Sequence, residues 1–417
     1  MKKILLILIA IAPLCAHANH IIPISNTAKI DLSGYIKYEN YTDTRQVVAL
    51  REGEYELYPK DRNFDVLCDD INAVGQSNMS AIQSRFRGEI TCPKIWNAKP
   101  SAIFEADFFG VGKTINIFRI RHAFARIDWK RISLLCGHTW HPIFIPECSP
   151  RTIGFNTGAP IEPFGRQPQM RVTAHWGPVD ILFAALTQLE TTSFGPDGSS
   201  NKYLRNNVIP NLHWQVRAKI KTHLLGAGID FKRIIPRLIT NKNLLRTESL
   251  SSIATTIYSA LNWDSAALRM KLTYGQNMTD FVMLGGYAVK SLNTETDCRK
   301  YTPLHNISFW LDFVLKKSVE PGIFIGITKN LGARREIIQT ITDNLGNIES
   351  TLYARSPNID YVMRIAPRLR WYIKPVTIGG EIEYTRAAYG TIGPKGKVYN
   401  AHNIGNVRLL MALFYYF

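Results

Sequence analysis

The sequence predicts an all-β protein, a transmembrane antiparallel β-barrel of about 16 strands with an inward-folded loop after strand 5. Three observations predict this fold: an export signal at the N-terminus, a C-terminal segment that ends on an aromatic residue, and repeated segments of alternating hydrophobicity between them. After the export signal, no apolar run reaches the length of a membrane-spanning helix. A chain of this kind can cross a membrane only as a closed barrel.

The N-terminal segment has the three parts of a secretory signal. Lys2 and Lys3 precede an apolar run over residues 4–14, and Ala16-His17-Ala18 follows as a small-x-small cleavage pattern. We therefore predict a signal peptide over residues 1–18 and a mature outer-membrane barrel over residues 19–417. An uncleaved anchor is the alternative, but about eleven apolar residues are too few to span a bilayer as a helix.

The C-terminal segment places an unbroken apolar row on one face of a strand. The members of this row are Val407, Leu409, Met411, Leu413, Tyr415 and Phe417. The row resembles the recognition signal of outer-membrane barrels, in which the last residue is aromatic. We therefore predict that Phe417 is the assembly signal read by the barrel assembly machinery. The predicted location is the bacterial outer membrane, in contact with its lipid and lipopolysaccharide.

Between the two ends, sixteen segments alternate apolar and polar residues, as transmembrane barrel strands do. They lie near residues 29–41, 80–92, 101–109, 117–128, 132–140, 169–176, 179–188, 211–220, 224–232, 252–263, 266–274, 307–316, 323–328, 363–373, 376–385 and 407–417. An even number returns both termini to the periplasmic side. Tight turns are predicted at 177–178, 221–222, 264–265 and 374–375, and the long connections between them are expected to be extracellular loops. Pro367 interrupts the fourteenth segment, where we expect a bulge or a strand end.

The chain is strongly basic, which limits its partners. The formal net charge is +17, and removing Lys2 and Lys3 with the signal peptide lowers it to +15. Such a charge attracts nucleic acid, lipid head groups or anionic solutes. Export to the cell envelope excludes nucleic acid as the expected partner and leaves small anionic solutes and lipid.

Alternation assigns a lumen-facing row to each strand, and the polar members of these rows are mostly basic. The predicted pore-lining and anion-binding residues are Arg85, Arg87, Arg119, Arg121, Arg171, Arg217, Lys219, Arg269, Lys271, Arg364, Arg368 and Arg370. The acidic residues on the same faces are Glu105, Asp107, Asp230, Asp312, Glu381 and Glu383. An excess of cations along a pore favours the entry of anions. The alternative is that these charges pair with each other and only satisfy a polar lumen.

The connection over residues 142–167 is the strongest candidate for a constriction loop, because it is long and rich in proline and glycine. Its candidate constriction residues are Arg151, Phe155, Asn156, Glu162 and Arg166. If the loop folds into the lumen, it narrows a pore that sixteen strands would otherwise leave wide. The alternative is an exposed loop without such a role.

Two short stretches resemble a known family. Phe118-Arg119-Ile120-Arg121-His122-Ala123-Phe124 and Leu134-Leu135-Cys136-Gly137-His138-Thr139-Trp140 are similar to the R-x-R-H-A-Y/F and L-x-G-Q-T-W stretches of porins of the DcaP-like and porin O/P type. This chain has His138 where the family usually has Gln. The match covers about 25 residues directly. The resemblance implies a homotrimer of sixteen-stranded channels for anionic solutes, with an inward third loop.

Three classes of function compete. The predicted function is a channel for passive diffusion of small hydrophilic, preferentially anionic solutes. A structural or host-contact protein that resembles an adhesin is the alternative, because extracellular loops make up much of the chain. An enzyme is a third possibility, because His122, His138, His141 and His175 lie near Ser133 and Asp128 in sequence. No G-x-S-x-G motif supports it, so we predict that the protein is not an enzyme.

The cysteines indicate no cofactor. Five of them follow the predicted signal peptide, and none lies in a C-x-x-C spacing. Cys136 and Cys148 could pair in an oxidising compartment, although scattered single cysteines are more often free. We therefore predict no metal site and no cofactor.

Overall fold

The computed structural model describes residues 20–23, 28–110, 117–342 and 348–417. The predicted signal peptide and most of the short loop predicted near residues 110–116 lie outside the described residues. Over the described part of the chain, no helix has the length and apolar character needed to cross a membrane.

Sixteen antiparallel strands form a closed barrel. They are β1 (Lys29–Asp43), β2 (Gln76–Ser80 and Arg85–Thr91), β3 (Lys99–Asp107), β4 (Arg119–Asp128), β5 (Ile132–Trp140), β6 (Arg166–Trp176), β7 (Val179–Leu186), β8 (Asn211–Ile220), β9 (His223–Ile234), β10 (Leu250–Asn262), β11 (Ala266–Gln276), β12 (Cys298–Leu315), β13 (Val319–Ala333), β14 (Ile359–Ile373), β15 (Val376–Ile392) and β16 (Val398–Tyr416). Each strand pairs with its neighbours in the chain, and β16 closes the ring on β1 from Tyr35↔Tyr416 to Asp43↔Arg408. Closure leaves no unpaired edge in the ring.

The predicted fold is confirmed, and each predicted segment overlaps one strand. The main differences lie at the strand ends distant from the tight turns. Strand β12 starts at Cys298 instead of residue 307, and β15 continues to Ile392 instead of residue 385. These extensions carry no clean alternation, because a strand that projects beyond a membrane has no lipid-facing side. The predicted turns at 177–178, 221–222 and 374–375 are confirmed by the pairs that flank them.

Alternation along each strand produces an apolar outer surface. In β10, Ser252, Ala254 and Thr256 point inward and are buried, whereas Ile253 and Ile257 are exposed on the outside. The same exposed apolar character recurs around the ring at Ile36, Phe86, Phe104, Val172, Phe183, Trp214, Val216, Ile229, Leu272, Phe309, Ile325, Leu369, Ile382, Leu409, Met411 and Leu413. An apolar patch of this extent is not tolerated in water, and it supports the predicted outer-membrane location.

The expectation of a bulge or strand end at Pro367 is wrong. Strand β14 runs through this position, where Pro367 is the registered partner of Ile323 on β13. On the other side, the register is the same before and after the proline, from Ile365↔Tyr384 to Arg368↔Glu381. Pro367 therefore lacks one backbone hydrogen-bond donor of the sheet, but the register of β14 does not change there.

Smaller elements lie in the connections. A hairpin pairs Val47–Leu50 with Tyr55–Pro59, and Gly285–Asn293 pairs with the start of β12 and with Leu352–Arg355. Two short ribbons pair Phe194–Gly195 with Gly198–Ser199 and Ile341–Thr342 with Ile348–Glu349, while His20–Pro23 pairs with β1. The helices are short, at Lys202–Arg205, Ile71–Ala73, Pro146–Cys148 and Thr279–Phe281.

Candidate functional site: the lumen and its inward loops

The connection between β5 and β6 folds into the lumen, as predicted. Its buried apolar members are Ile143, Phe144, Ile145, Ile153, Phe155, Ala159, Ile161 and Phe164. We call residues 141–165 the constriction loop. The wall has glycine where this loop approaches most closely. A Cβ on Gly326 would lie 2.9 Å from Ile161 Cγ2, and one on Gly379 would lie 2.7 Å from Ile153 Cδ1. Both glycines therefore leave room for the loop.

Side chains of the wall hold the constriction loop by its backbone. Arg364 Nη1 donates to Ala159 O at 2.7 Å. Lys37 Nζ donates to Ile153 O at 3.1 Å, and Glu381 accepts the Ile153 amide at 2.9 Å. Buried backbone groups require such partners. These contacts therefore fix the path of the loop across the barrel.

Two of the predicted constriction residues face the wall instead of the open lumen. Glu162 accepts from Lys271 Nζ at 2.7 Å and from Trp310 Nε1 at 2.6 Å. Burial raises the pKa of the Glu162 carboxyl to about 7, against the opposing effect of Lys271. Asn156 Nδ2 donates to the carboxylate of Glu383 at 2.8 and 3.0 Å. Both side chains attach the loop to the barrel.

A second inward segment was not predicted. In the hairpin over residues 47–59, which we call the inward hairpin, every residue of Tyr55–Pro59 is buried. Arg364 Nη2 donates to Leu57 O at 3.1 Å, and Tyr389 Oη donates to Pro59 O at 2.6 Å. Burial raises the pKa of the Glu56 carboxyl to about 8. The hairpin therefore occupies the lumen beside the constriction loop.

Apolar side chains join the two inward segments. Tyr55, Leu57 and Tyr58 of the inward hairpin pack with Phe144, Phe155, Ala159 and Phe164 of the constriction loop in one cluster, which includes Val282 and Leu284 of the connection between β11 and β12. Phe155 lies 5.5 Å from the ring centroid of Tyr55 and 4.3 Å from that of Phe109. The predicted constriction residue Phe155 thus lies at the junction of both segments.

Four of the predicted pore-lining residues lie beneath these loops. Arg269, Lys271, Arg364 and Arg368 are each at most 4% exposed. Arg368 pairs with Asp312 at 2.8 Å, and Arg269 lies 4.0 Å from the same carboxylate. They point inward as alternation predicts, but loop segments cover them.

Another part of the wall carries a group of arginines, of which Arg85, Arg87 and Arg119 remain partly exposed. We call Arg51, Arg85, Arg87, Arg119, Arg121 and Arg166 the basic cluster. Five of them come from β2, β4 and β6, and Arg51 comes from the inward hairpin. A bulge in β4 places Arg121 and the adjacent His122 both on the buried side of the strand, because Glu105 pairs with His122 while Ala106 pairs with Ile120. Alternation alone did not predict this bulge.

Shared carboxylates link the members of the basic cluster. Glu105 lies 3.4, 3.5 and 2.7 Å from Arg85, Arg87 and Arg121. Asp107 binds Arg119 at 2.7 Å, and Glu190 lies 2.5 Å from both Arg119 and Arg166. Glu89 also lies 3.3 Å from Arg87. Four carboxylates against six guanidinium groups leave an excess of two positive charges. These cations hold the pKa of the Glu190 carboxyl at about 2.

Aromatic rings support the guanidinium groups and leave some of their N–H groups free. Arg166 stacks over Trp140 at 4.4 Å, and Arg51 and Arg119 both lie over Phe109. Among the described residues, Arg51 Nη1 and Arg166 Nε and Nη1 have no hydrogen-bond partner. Buried donors of this kind call for an acceptor. A carboxylate, phosphate or sulfate oxygen supplies one.

The remaining predicted basic residues lie apart from the cluster. Arg171 donates to Trp140 O at 2.8 Å, and Arg217 pairs with Asp180 at 2.9 Å. Lys219 is exposed near a tight turn. Arg370 donates to the carbonyl of Arg151, the remaining constriction residue, at 2.8 Å. Arg151 itself is exposed.

Ser133 and His175, two of the residues considered for an enzyme site, lie in contact on the barrel wall. Ser133 Oγ lies 2.8 Å from His175 Nε2, and His175 Nδ1 lies 2.6 Å from Asp180 Oδ1. However, Ser133 Oγ also donates to the Asp128 carboxylate. A charged carboxylate is a stronger acceptor than a neutral imidazole. The serine proton is therefore directed away from the base that would have to remove it.

Sequence reasoning missed Arg51 and Glu190 as members of the lumen. Both lie in long connections, where no periodicity assigns a side chain to a face. The only sequence signal for the inward hairpin is the pair of apolar runs around Arg51-Glu52-Gly53. The five cysteines after residue 18 are all free, and Cys148 is buried.

No protein-family model and no curated protein sequence matches this chain. Among solved structures, the chain is similar to the outer membrane channel DcaP of Acinetobacter baumannii, with 14% identity, a TM-score of 0.67 and coverage of 95% of this chain and 99% of that chain. It is also similar to the outer-membrane protein OmpT of Vibrio cholerae, with 9% identity, a TM-score of 0.54 and coverage of 95% and 100%. A third similar structure is an anion-selective porin from Comamonas acidovorans, with 10% identity, a TM-score of 0.53 and coverage of 94% of this chain and 100% of that chain. The chain therefore has a porin-type outer-membrane barrel fold, and the fold expected from the sequence resemblance is confirmed.

Proposed function

We propose that this porin-type barrel is a channel for passive diffusion of small hydrophilic solutes, with a preference for anions. The observation that carries the proposal is the basic cluster, which has an excess of two positive charges and three partly exposed members, Arg85, Arg87 and Arg119. Charge in a narrow, low-dielectric passage acts strongly on permeating ions. A diffusion channel uses this charge directly, whereas an adhesin has no use for a charged lumen.

The side-chain exposure of the cluster supports a graded role for its members. Arg87 retains 35% of its side-chain exposure, whereas Arg166 retains none. We propose that Arg87, Arg85 and Arg119 meet passing solutes, while Arg121 and Arg166 set the local potential from behind them. Arg171, Arg217 and Lys219 extend the basic wall toward the tight turns.

The proposal extends to assembly. We propose that three chains form a homotrimer in the outer membrane, inserted by the barrel assembly machinery with Phe417 as the signal. Phe417 pairs by its backbone with Gly34 at 3.0 and 3.2 Å, and its exposed ring lies 5.8 Å from that of Phe86. The final residue is thus displayed on the outer surface, where an insertion machine can contact it.

Reversal potentials in asymmetric potassium chloride test the function. We expect the purified protein to form channels in a planar bilayer that conduct chloride in preference to potassium. The double variant Arg87→Gln/Arg119→Gln removes the two excess charges, so its preference should fall close to zero. The matched control is Arg62→Gln, which removes one charge from an exposed loop position and should leave the selectivity unchanged.

Two outcomes would contradict this proposal. A wild-type channel that prefers potassium would show that the basic cluster does not control permeation. A correctly folded trimer without conductance would favour the structural or host-contact alternative.

A further inference from the structure

Two histidines and an aspartate converge at the base of the constriction loop. His141 is the first residue of that loop, and His213 and Asp230 are registered partners on β8 and β9. Asp230 Oδ2 lies 3.3 Å from His141 Nε2 and 3.2 Å from His213 Nδ1. All three side chains are buried. The contact joins residues that lie far apart in sequence, so no spacing motif announces it.

A fourth polar group completes the cluster. The amide nitrogen of Asn211 lies 3.0 Å from His141 Nε2 and 3.3 Å from Asp230 Oδ2. Asn211 is 2% exposed, and its Oδ1 has no partner among the described residues. The two ends of a carboxamide have nearly the same shape. Rotating this amide therefore brings the unpartnered oxygen into the cluster.

Hydrogen bonding alone does not satisfy these four groups. His141 Nδ1 accepts from the Ile143 amide at 3.2 Å, so a neutral ring carries its proton on Nε2. That proton then lies beside an N–H of Asn211, with 3.0 Å between the two nitrogens, and both donors compete with His213 Nδ1 for the single oxygen Asp230 Oδ2. After rotation of the amide, Asn211 Oδ1 instead faces Asp230 Oδ2 at 3.3 Å, which leaves two acceptors in contact. A cation between the four groups removes both conflicts, because all of them can present lone pairs.

We propose that His141, His213, Asp230 and Asn211 form a binding site for one divalent transition metal ion, with zinc as the expected metal. The separations fit this ion. Zinc bonds to nitrogen and oxygen of about 2.0–2.1 Å give tetrahedral ligand–ligand distances of about 3.3–3.4 Å. The four contacts in the cluster measure 3.0, 3.2, 3.3 and 3.3 Å. The ligand atoms of His141, His213 and Asp230 all lie within 4.8 Å of one another, so a small adjustment of these groups is enough to bind the ion.

The surrounding side chains fit one histidine better than the other. His213 Nε2 lies 3.2 Å from Gln215 Oε1, and Gln215 in turn donates to Tyr258 Oη. A metal-bound imidazole usually donates its second N–H to such an acceptor. His141 has no such acceptor. When its Nε2 binds the ion, the ring proton is on Nδ1, where it faces the N–H of Ile143. The site therefore gives up one hydrogen bond on binding the ion, which predicts weaker binding than in a cysteine-rich zinc site.

A metal at this position would connect the constriction loop to the barrel wall. His141 belongs to the loop, whereas the other three ligands belong to β8 and β9. Binding would therefore fix the loop where it leaves β5, independently of the contacts made further along it.

The test uses the detergent-solubilised, folded protein. Exposed cysteines are first alkylated, bound metal is removed with a chelator, and Zn²⁺ and Co²⁺ are titrated in turn. We expect one Zn²⁺ per chain, a rise in the unfolding temperature, and intense visible absorption of Co²⁺ in a tetrahedral site. The variants Asp230→Asn and His213→Gln should bind at least about tenfold more weakly. The control His175→Gln changes another lumen histidine beside a carboxylate and should bind like the wild type.

Each outcome decides the proposal. Equal binding by the wild type and both folded variants would overturn it, as would less than one Zn²⁺ per chain. If the variants fail to fold, the wild-type stoichiometry and the Co²⁺ spectrum decide alone, and weak octahedral absorption would refute the site. None of these readouts depends on conductance, so the proposed channel function can fail or hold separately.

Discussion

Replacing Arg364 by methionine should release both inward segments while leaving the barrel intact. Its guanidinium group donates to Ala159 O of the constriction loop and to Glu56 O and Leu57 O of the inward hairpin. It also pairs with Glu383 at 3.1 Å. The side chain is completely buried, so water cannot replace these contacts without loop movement.

The size of the effect follows from these contacts. A hydrogen bond to a charged group contributes about 1.5–3 kcal/mol, and breaking a buried ion pair costs about 3–5 kcal/mol. Because the contacts share one guanidinium group, we expect the docked state to lose about 3–5 kcal/mol in total rather than their sum. This loss changes the docking equilibrium by roughly 10²- to 10⁴-fold. The backbone pairs of Arg364 with Gly326 and Thr385 persist, so the barrel itself should not unfold.

Single-channel recording and limited proteolysis together test this expectation. The Arg364→Met channel should show larger and noisier conductance, and both inward segments should become sensitive to protease. Arg62→Met is the control, because the Arg62 side chain is exposed. Unchanged conductance with full protease protection in a folded variant would refute the reasoning that Arg364 holds the loops.

Three further predictions concern the same architecture. Deleting residues 152–163 should raise single-channel conductance while heat-resistant oligomers persist on a gel, and unchanged conductance would place the loop outside the conduction path. Burial raises the pKa of Glu54 and Glu162 to about 7 and that of Glu56 to about 8. Raised carboxyl pKa values stabilise the docked loops at low pH, and this stability is lost as the pH rises through about 7–8. Conductance should therefore be lower near about pH 6 than near about pH 9, and the opposite trend would contradict the role of these carboxyls. Deleting Phe417 should leave the protein in the periplasm, which fractionation can measure, and normal outer-membrane levels would rule out its role as a signal.

The strand pattern could be predicted because lipid imposes a strict rule on every second residue. Where both faces of a strand are wet, as at the start of β12, the rule disappears and the predicted boundary falls short. Pro367 was misjudged for a related reason. The pairing with β15 keeps one register from Ile365↔Tyr384 to Arg368↔Glu381, so the strand accommodates the lost N–H without a bulge, and sequence alone does not predict this.

The candidate site could be predicted only in part, because alternation gives the face of a residue and not what covers it. Arg87 and Arg364 both point inward, yet one remains partly open and the other lies under two loops. The constriction loop and the inward hairpin together cover Arg364, and alternation along a strand does not predict where such connections fold. The cluster around Asp230 was missed for the same reason, since His141 reaches it only because the constriction loop folds inward.

The residues that hold the inward loops and the residues that carry the excess positive charge lie mostly on different strands of the barrel. Side chains of β1, β11, β12, β14 and β15 attach the loops to the wall, whereas five of the six members of the basic cluster lie on β2, β4 and β6. Aperture and ionic preference are therefore encoded by largely separate residues. Substitutions at Arg85, Arg87 or Arg119 can retune which solutes enter without loosening the loops, and substitutions beneath the loops can widen the passage without altering its sign of charge. Protein engineering or evolution can therefore change the aperture of the pore and its ionic preference separately.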